Sequence, residues 1–312
     1  MLRNYYSLEP IESLMSQSNI LAVISHTSGT ISTKVNSVSS GLVRLQEQDL
    51  NEVWEIENGS IESGENQGCL WRQSDEFLFV STAVSIIDDN YADAGEQAYS
   101  RLLSYIHQSE FPYPIRFWNN MPAINKGDGD LEKYRQFCTG RFQSFKSSNY
   151  QDDDFPAASA VGHHASDLLV YVICSKHAGV HHQNQLQVDA FNYPKEYGKT
   201  SPSFARATSL NIQDQQLFFI SGTASIVGHK TVYEGDLTGQ LKTTENNILQ
   251  LLNQVEKQRS NIQTMKVYIR HPEDFPITQN FLDHAFPNSQ KVYLHADICR
   301  KDLLVEVECF CV

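Results

Sequence analysis

The feature that most constrains this chain is that it repeats itself. Residues 77–86 read FLFVSTAVSI and residues 217–226 read LFFISGTASI, with Phe79/Phe219, Ser81/Ser221, Ser85/Ser225 and Ile86/Ile226 identical. Each run is apolar, rich in β-formers and closed by small residues, the pattern of a buried strand entering a tight turn. The elements downstream of the two runs also match. A helix near 92–107, with Ala98, Leu102 and Ile106 on one stripe, comes after the first. A helix over 243–258, with Ile248, Leu251, Leu252 and Val255 at helical spacing and Thr243 or Thr244 as its cap, comes after the second. Each helix leads to a strand, IRFW at 115–118 and MKVYI at 265–269, and then to a second helix, near 131–147 and 276–286. Chance similarity of two buried strands is the alternative that ten residues leave open, but the shared order of elements favours duplication. The expectation is two copies of one α+β unit, residues 1–150 and 151–312, joined in the polar, acidic stretch 148–157.

The formal net charge of -13 excludes a general nucleic-acid binder, because phosphate contacts need clustered Lys and Arg. It also means that an anionic substrate is repelled at long range, so its site needs a local cationic cluster. No run approaches 18 apolar residues, so no membrane span is expected. The opening MLRNYYSLEP lacks the apolar core of a secretory signal, and Cys69, Cys138, Cys174, Cys299, Cys309 and Cys311 form no C-x-x-C pair. Together these predict reduced thiols and a cytoplasmic protein. In the final run KDLLVEVEC (301–309), Leu303, Val305 and Val307 share one strand face, and Leu304, Glu306 and Glu308 share the other. Two carboxylates at such spacing are ordinarily solvated surface and matter only if their face lines a cleft.

Three segments hold more small, polar and aromatic residues than packing requires: FWNNMPAIN (117–125) with KYRQFCTGR (133–141), YPKEYG (193–198) with SPSFARA (201–207), and SGTASIVGH (221–229) with EGDLTGQ (234–240). Their series resembles the chorismatase family across roughly residues 115–308, whereas the first hundred residues match only in general character. The second half also resembles the YjgF/Rid family, whose fold chorismatases share and whose last strand carries K-D-x-x-[IV]-E-[IV]-E, here Lys301 to Glu308. The resemblance implies an α+β fold of two tandem YjgF/Rid-like (chorismate-mutase-like) halves, mixed β-sheets with helices packed on one face. The N-terminal half is expected to keep the fold and the C-terminal half to hold most of the site. The implied activity is removal of pyruvate from chorismate, with no metal or organic cofactor.

Chorismate carries two carboxylates, a hydroxyl and an enolpyruvyl ether. Its carboxylates call for guanidinium donors, and Arg135, Arg141 and Arg206 are the candidates inside matching motifs. Arg135 and Arg141 are six residues apart, so one of them is expected to face the ligand while Arg141 can instead close an internal ion pair. Tyr134 and Tyr193 (with Tyr197 beside it) offer hydroxyls, and Gly222, Thr223 and Ala224 let a ring approach the backbone. Breaking the enol ether begins with protonation of its methylene carbon, and the match to the Rid carboxylate assigns this to Glu306, whose pKa burial and Glu308 would raise. In the family, pocket positions such as Cys299 separate a hydrolysing subtype, which gives a dihydroxy-cyclohexadienoate, from one forming 3-hydroxybenzoate; a Cys points to 3-hydroxybenzoate.

The pairs His163–His164 and His181–His182 look like metal ligands, but adjacent residues on a strand face opposite ways and no further ligand completes a set. His229 is expected to hold its loop by a hydrogen bond. Two departures qualify the resemblance. Lys291 stands where Rid enzymes have a carboxylate-binding Arg, 15 residues before Glu306, and Leu186 stands where the family pattern has an Arg. A Rid-like imine deaminase and a non-catalytic ligand-binding relative are the competing readings. A monomer or a homotrimer is compatible with the duplication.

Overall fold

The computed structural model describes residues 1–27, 32–34, 37–57 and 59–312. The duplication is real and larger than the sequence echo. The first unit runs through the hairpin Glu62–Asn66 and Cys69–Gln73, the echo strand Phe77–Ser85, helix Tyr91–Gln108, strand Tyr113–Pro122, helix Lys133–Ser147, and strands Ala157–His163 and Asp167–Ser175. The second repeats that order with Val180–His182, Ala207–Ile212, Gln215–Ala224, helix Leu237–Gln254, Ile262–Ile269, helix Phe275–Ala285, Gln290–His295 and Val305–Cys311. In both seven-stranded sheets the last strand inserts between the echo strand and the strand after the first helix. The penultimate strand runs parallel to the latter.

This topology moves the expected junction. Residues 157–163 and 167–175 complete the sheet of the first unit, so the units meet between Ser175 and Val180, and the acidic stretch 148–157 is a connection inside the first unit. The returning strand makes a non-local pairing, which local composition does not report. The N-terminal residues also depart from the two-half expectation. Leu2–Ser7, Ile20–Ser25, Ser32–Lys34, Ser37–Ser39 and Asn51–Ile56 form a separate five-stranded sheet.

The three sheets surround one shared core, with Trp54 from the first, Phe79, Trp118 and Tyr171 from the second, and Phe219 and Phe310 from the third. Ring centroids lie 5.1 Å apart for Trp54–Phe310 and 5.0 Å for Trp118–Tyr171. Each such ring removes about 150–250 Å² from water, so the sheets are held together chiefly by burial. The helices pack on the outer faces, through Tyr99, Leu102, Phe137 and Phe145 in one unit and Ile248, Leu251 and Leu282 in the other. Sheets also extend into one another. Val43–Arg44 pairs with His295 and Leu294, and Asp297–Ile298 pairs with Gly162 and Val161, which covers edges that would otherwise offer unpaired backbone groups.

Helix Leu237–Gln254 begins earlier than the Thr-Thr pair suggested. Asp236 is its cap, accepting the Gly239 N–H, while Thr243 and Thr244 are buried inside the helix and the Thr243 hydroxyl donates back to the Gly239 carbonyl. A second echo emerges from the topologically equivalent closing strands: DLLVYVIC (167–174) and DLLVEVEC (302–309) differ only in that Tyr171 and Ile173 stand where Glu306 and Glu308 do.

Candidate active site

Val305 and Val307 of the final strand pack under the second unit's helices. Glu306 and Glu308 face the opposite way, and that face is covered by the first unit, leaving them only 4% and 6% exposed. A cavity of about 490 Å³ lies between the units with Glu306 in its wall.

The two carboxylates meet different surroundings. Glu308 has five partners: it accepts from Trp118 Nε1 at 2.7 Å on Oε1 and from Arg116 at 2.7 Å, Ser159 Oγ at 2.6 Å and Tyr268 OH at 3.0 Å on Oε2, and it forms an ion pair with Lys266 Nζ at 3.0 Å from Oε1. Burial alone would raise its pKa, but Lys266 and Arg116 reverse this and hold it down at about 2. Glu306 receives little such help, and its buried Oε1 has no hydrogen-bond partner. Desolvation first, and then the charge of Glu308, push its pKa up to about 8, so it is a carboxylic acid at neutral pH. Gly222 makes its place, since a Cβ there would overlap Oε1 of Glu306 and lie 3.0 Å from Ser159 Oγ.

Four guanidiniums border the same cavity. Arg206 donates to the Val188 carbonyl at 2.9 Å and to Tyr193 OH at 2.7 Å, with its buried Nε unpartnered. Arg141 is fully buried with its Nε also unpartnered, and among the described residues no carboxylate pairs with it. Its polar neighbours are Cys138, Tyr99 and Tyr134, which corrects the alternative of an internal ion pair. Arg135 borders the cavity as well, so both members of that pair face it; Arg135 is steadied by Glu132 at 3.3 Å. Arg300, which sequence reasoning missed, stacks 4.1 Å above the Tyr197 ring, donates to the His229 carbonyl at 2.9 Å and leaves a buried Nη2 unpartnered. The structure therefore brings together Glu306, Cys299, Tyr134, Arg135, Arg141, Tyr193, Arg206, Gly222 and Ala224.

Thr223 is a correction. Its register partner is Val307 of the helix-side core, its hydroxyl donates to the Ser221 carbonyl at 2.8 Å, and strand alternation turns it away from the cavity between Gly222 and Ala224. Lys291 is not a cavity cation either. Its ammonium lies beneath a helix C-terminus, donating to the Phe286 and Ser289 carbonyls at 2.7 and 3.1 Å and pairing with Asp283. Leu186 is 44% exposed and outside the cavity wall, whereas the adjacent Gln187 is part of it. His229 meets Tyr197 OH at 3.3 Å and Glu196 at 3.6 Å, tying its loop to residues 195–197. His163 sits between the Asp167 carbonyl and the Ala165 N–H, while His181 and His182 bond Thr208 and Ser209. Cys299 is half-buried in the cavity wall, and burial, then Glu306, push its thiol up to about 12, so it stays neutral. Ser159 had no motif to reveal it, whereas Gln187 follows Leu186 of the family pattern and Arg300 adjoins Cys299 and the K-D-L-L run.

Fold and site together define a Rid-type α+β protein whose terminal strand presents a buried carboxylic acid to a guanidinium-lined cavity. Residues 199–312 match the family model described as endoribonuclease L-PSP, and residues 52–174 match that of the N-terminal part of FkbO/Hyg5-like chorismatases. The chain belongs to the chorismatase family. It is 32% identical over 310 residues to a 3-hydroxybenzoate synthase of Streptomyces hygroscopicus, covering 93% of this chain and 91% of that one. It is 32% identical over 307 residues to a chorismatase of the same organism, covering 93% and 88%. A crystal structure of a chorismatase superposes with a TM-score of 0.90 at 28% identity, covering 100% of this chain and 98% of that one.

Proposed function

We propose that this chain releases pyruvate from chorismate and leaves 3-hydroxybenzoate, with Glu306 as the general acid. The observation that carries the reading is a buried carboxyl with no hydrogen-bond partner on Oε1, set in a cavity whose arginines keep unpartnered N–H groups; burial and then Glu308 raise its pKa and so favour the acid form. A dicarboxylate supplies the missing acceptors, and a bidentate guanidinium contact suits each of its carboxylates. Arg206, braced by Tyr193, and Arg300, braced by Tyr197, flank one side of the cavity, with Arg141 on the other unit's helix.

Glu306 gives its proton to the methylene carbon of the enolpyruvyl group. The alkene electron pair forms the new C–H bond, and the ether oxygen stabilises the cation. The neighbouring ring hydroxyl oxygen then attacks the ether-bearing carbon and closes an epoxide as the ring C–O bond breaks, so the ether oxygen leaves as the ketone of pyruvate. The epoxide reopens at the carbon that first carried the hydroxyl, which leaves the oxygen, with its proton restored, on the former ether carbon. Aromatisation expels the proton of that carbon, which returns to the Glu306 carboxylate, so the acid is regenerated. Hydroxybenzoate and pyruvate together contain the atoms of chorismate, and no net water is used. The diene diol would consume one water. The neutral thiol of Cys299 beside Glu306 takes up space that an attacking water would need, which supports the hydroxybenzoate route. Three sheets already enclose a common core within one chain, which supports a monomer over a trimer.

Incubation with chorismate, with pyruvate quantified and the acids separated by chromatography, tests this. Hydroxybenzoate equimolar with pyruvate is expected. Diol instead would make the chain a hydrolase. Imine clearance without pyruvate, or binding without turnover, would overturn the reading.

A further inference from the structure

Among the described residues the N-terminal sheet supplies none to the cavity wall, yet it reaches the acid through buried charge. Lys266 Nζ lies 3.0 Å from Glu308 and 2.7 Å from Glu52, a residue of the strand Asn51–Ile56. Trp54 Nε1 donates to Glu52 at 3.0 Å, and His26 stands 3.9 Å from the same carboxylate. All of these side chains are almost fully buried. A lone buried ion costs several kcal/mol, so such groups persist only in balanced sets. Here the set balances without Glu306. Glu308 and Glu52 offset Lys266 and Arg116, and burial, then Lys266, push His26 well below its usual range, so it adds no charge.

We propose that Glu308 is a positioning residue for Glu306: locked as an anion by Lys266 and Arg116, with Lys266 itself neutralised by Glu52 of the N-terminal sheet, it keeps the proton on the acid. This rests on Glu306 being the general acid. The two carboxylates sit on one strand face about 7 Å apart along the chain. Ionising Glu306 would leave the buried cluster with a net negative charge. The groups facing Glu306 are Glu308 from its own strand, Arg116 from the first unit, Arg206 from just before the strand Ala207–Ile212, Arg270 beyond the neighbouring strand, and Cys299. Those facing Glu308 are Lys266, Arg116 and Tyr268, with Tyr171, Tyr6 and Glu52 behind them. Arg116 and Lys266 are engaged by Glu308, Arg270 by Asp297 at 2.6 Å, and Arg206 by Tyr193 OH and the Val188 carbonyl, so among the described residues no cation pairs with Glu306.

The test is the pH profile of kcat for the full chain with chorismate. Activity needs protonated Glu306, so it falls as pH rises through that group's pKa. Glu308→Gln removes the neighbouring negative charge and strands Lys266, which should move the alkaline limb down by about one to three pH units. Adding Lys266→Met to that variant restores the balance and should return the limb towards the wild-type position. A merely structural role would not reverse in this way. A Glu308→Gln limb that coincides with the wild type, or a double variant no nearer to it than the single one, overturns the proposal. Isotope-edited infrared spectra of the wild-type protein decide the matter even if Glu308→Gln fails to fold. A carboxylic-acid band at neutral pH that Glu306→Gln removes is expected, whereas a protonated Glu308 or an ionised Glu306 overturns it. Normal turnover by Glu306→Gln would instead refute the acid assignment itself, while the spectra would still report the charge arrangement.

Discussion

Replacing Glu306 with Gln should have two effects of opposite sign. The folded protein holds this carboxyl at about 8 rather than 4.5, because burial and then Glu308 disfavour its charge. Between those values the folded chain carries a proton that the unfolded chain has shed, so stability falls as pH rises through the window. The cost is complete above about pH 8. At ~1.4 kcal/mol per pH unit the interval amounts to on the order of 5 kcal/mol. Gln has a similar shape and no charge to bury, so the variant escapes this penalty. Urea unfolding at pH 5, 7 and 9 should show the variant close to wild type at the lowest pH and clearly more stable at the highest. Turnover should move the other way, falling about 10²–10⁴-fold because the transferable proton is gone. A stability difference that does not change with pH would refute the protonated state, and near-normal pyruvate release would refute the acid role.

The other expectations concern the walls of the cavity. Cys299→Val should raise the proportion of diene diol while pyruvate release continues; an unchanged product ratio would leave Cys299 as packing. Gly222→Ala places a methyl where the Glu306 carboxyl lies, so kcat should fall at least tenfold with the circular dichroism spectrum unchanged, and a kinetically normal variant would deny that close approach. Arg206→Ala and Arg300→Ala should each raise KM, by roughly 2–5 kcal/mol in binding terms if the partner carboxylate stays buried, and unaltered kinetics would remove that arginine from substrate recognition. Light scattering at micromolar concentration should give the mass of a single chain; a trimer would show that the internal three-sheet core does not replace an intersubunit one.

The repeat was legible because a buried strand followed by an amphipathic helix leaves strong local periodicity. It was legible only in part, because the comparison rested on the echo strands. The more telling echo, DLLVYVIC against DLLVEVEC, contains the site residues themselves and shows what the first unit lacks: Tyr171 and Ile173 replace both carboxylates. The unit boundary was missed because the closing strand pairs with strands far back in the chain, and the N-terminal sheet because nothing in residues 1–56 resembles the repeat. Of the residues inside dense motifs, most line the cavity. Thr223 was misplaced by including every residue of a strand segment when alternation selects only half. Arg300 could have been found, since a cation between Cys299 and the K-D-L-L run is an economical source of charge. Ser159 could not, because its importance comes from Glu308 and Gly222 converging on it in space.

Glu306 and Glu308 show why charge chemistry is decided by tertiary structure. They are the same residue type on the same strand face, two positions apart, and both are nearly inaccessible to water. Desolvation raises both, yet one is held at about 2 and the other at about 8. The difference lies in what the opposing elements present. Strand Ile262–Ile269 sets Lys266 in register with Glu308 and Tyr268 in register with Glu306. A shift of that pairing by two residues would set the phenol, not the ammonium, against Glu308 and undo the contrast between the two acids. The acid is therefore specified by strand register together with Arg116 from the first unit and Glu52 from the N-terminal sheet, so all three sheets contribute to one proton. A Rid-like second unit alone would keep the carboxylates and Lys266 but lose Arg116, Ser159, Trp118 and Glu52. With that covering face gone, both carboxyls meet water and Glu308 keeps only Lys266 and Tyr268 of its five partners, so the desolvation and the unequal charge that separate the two acids are lost together.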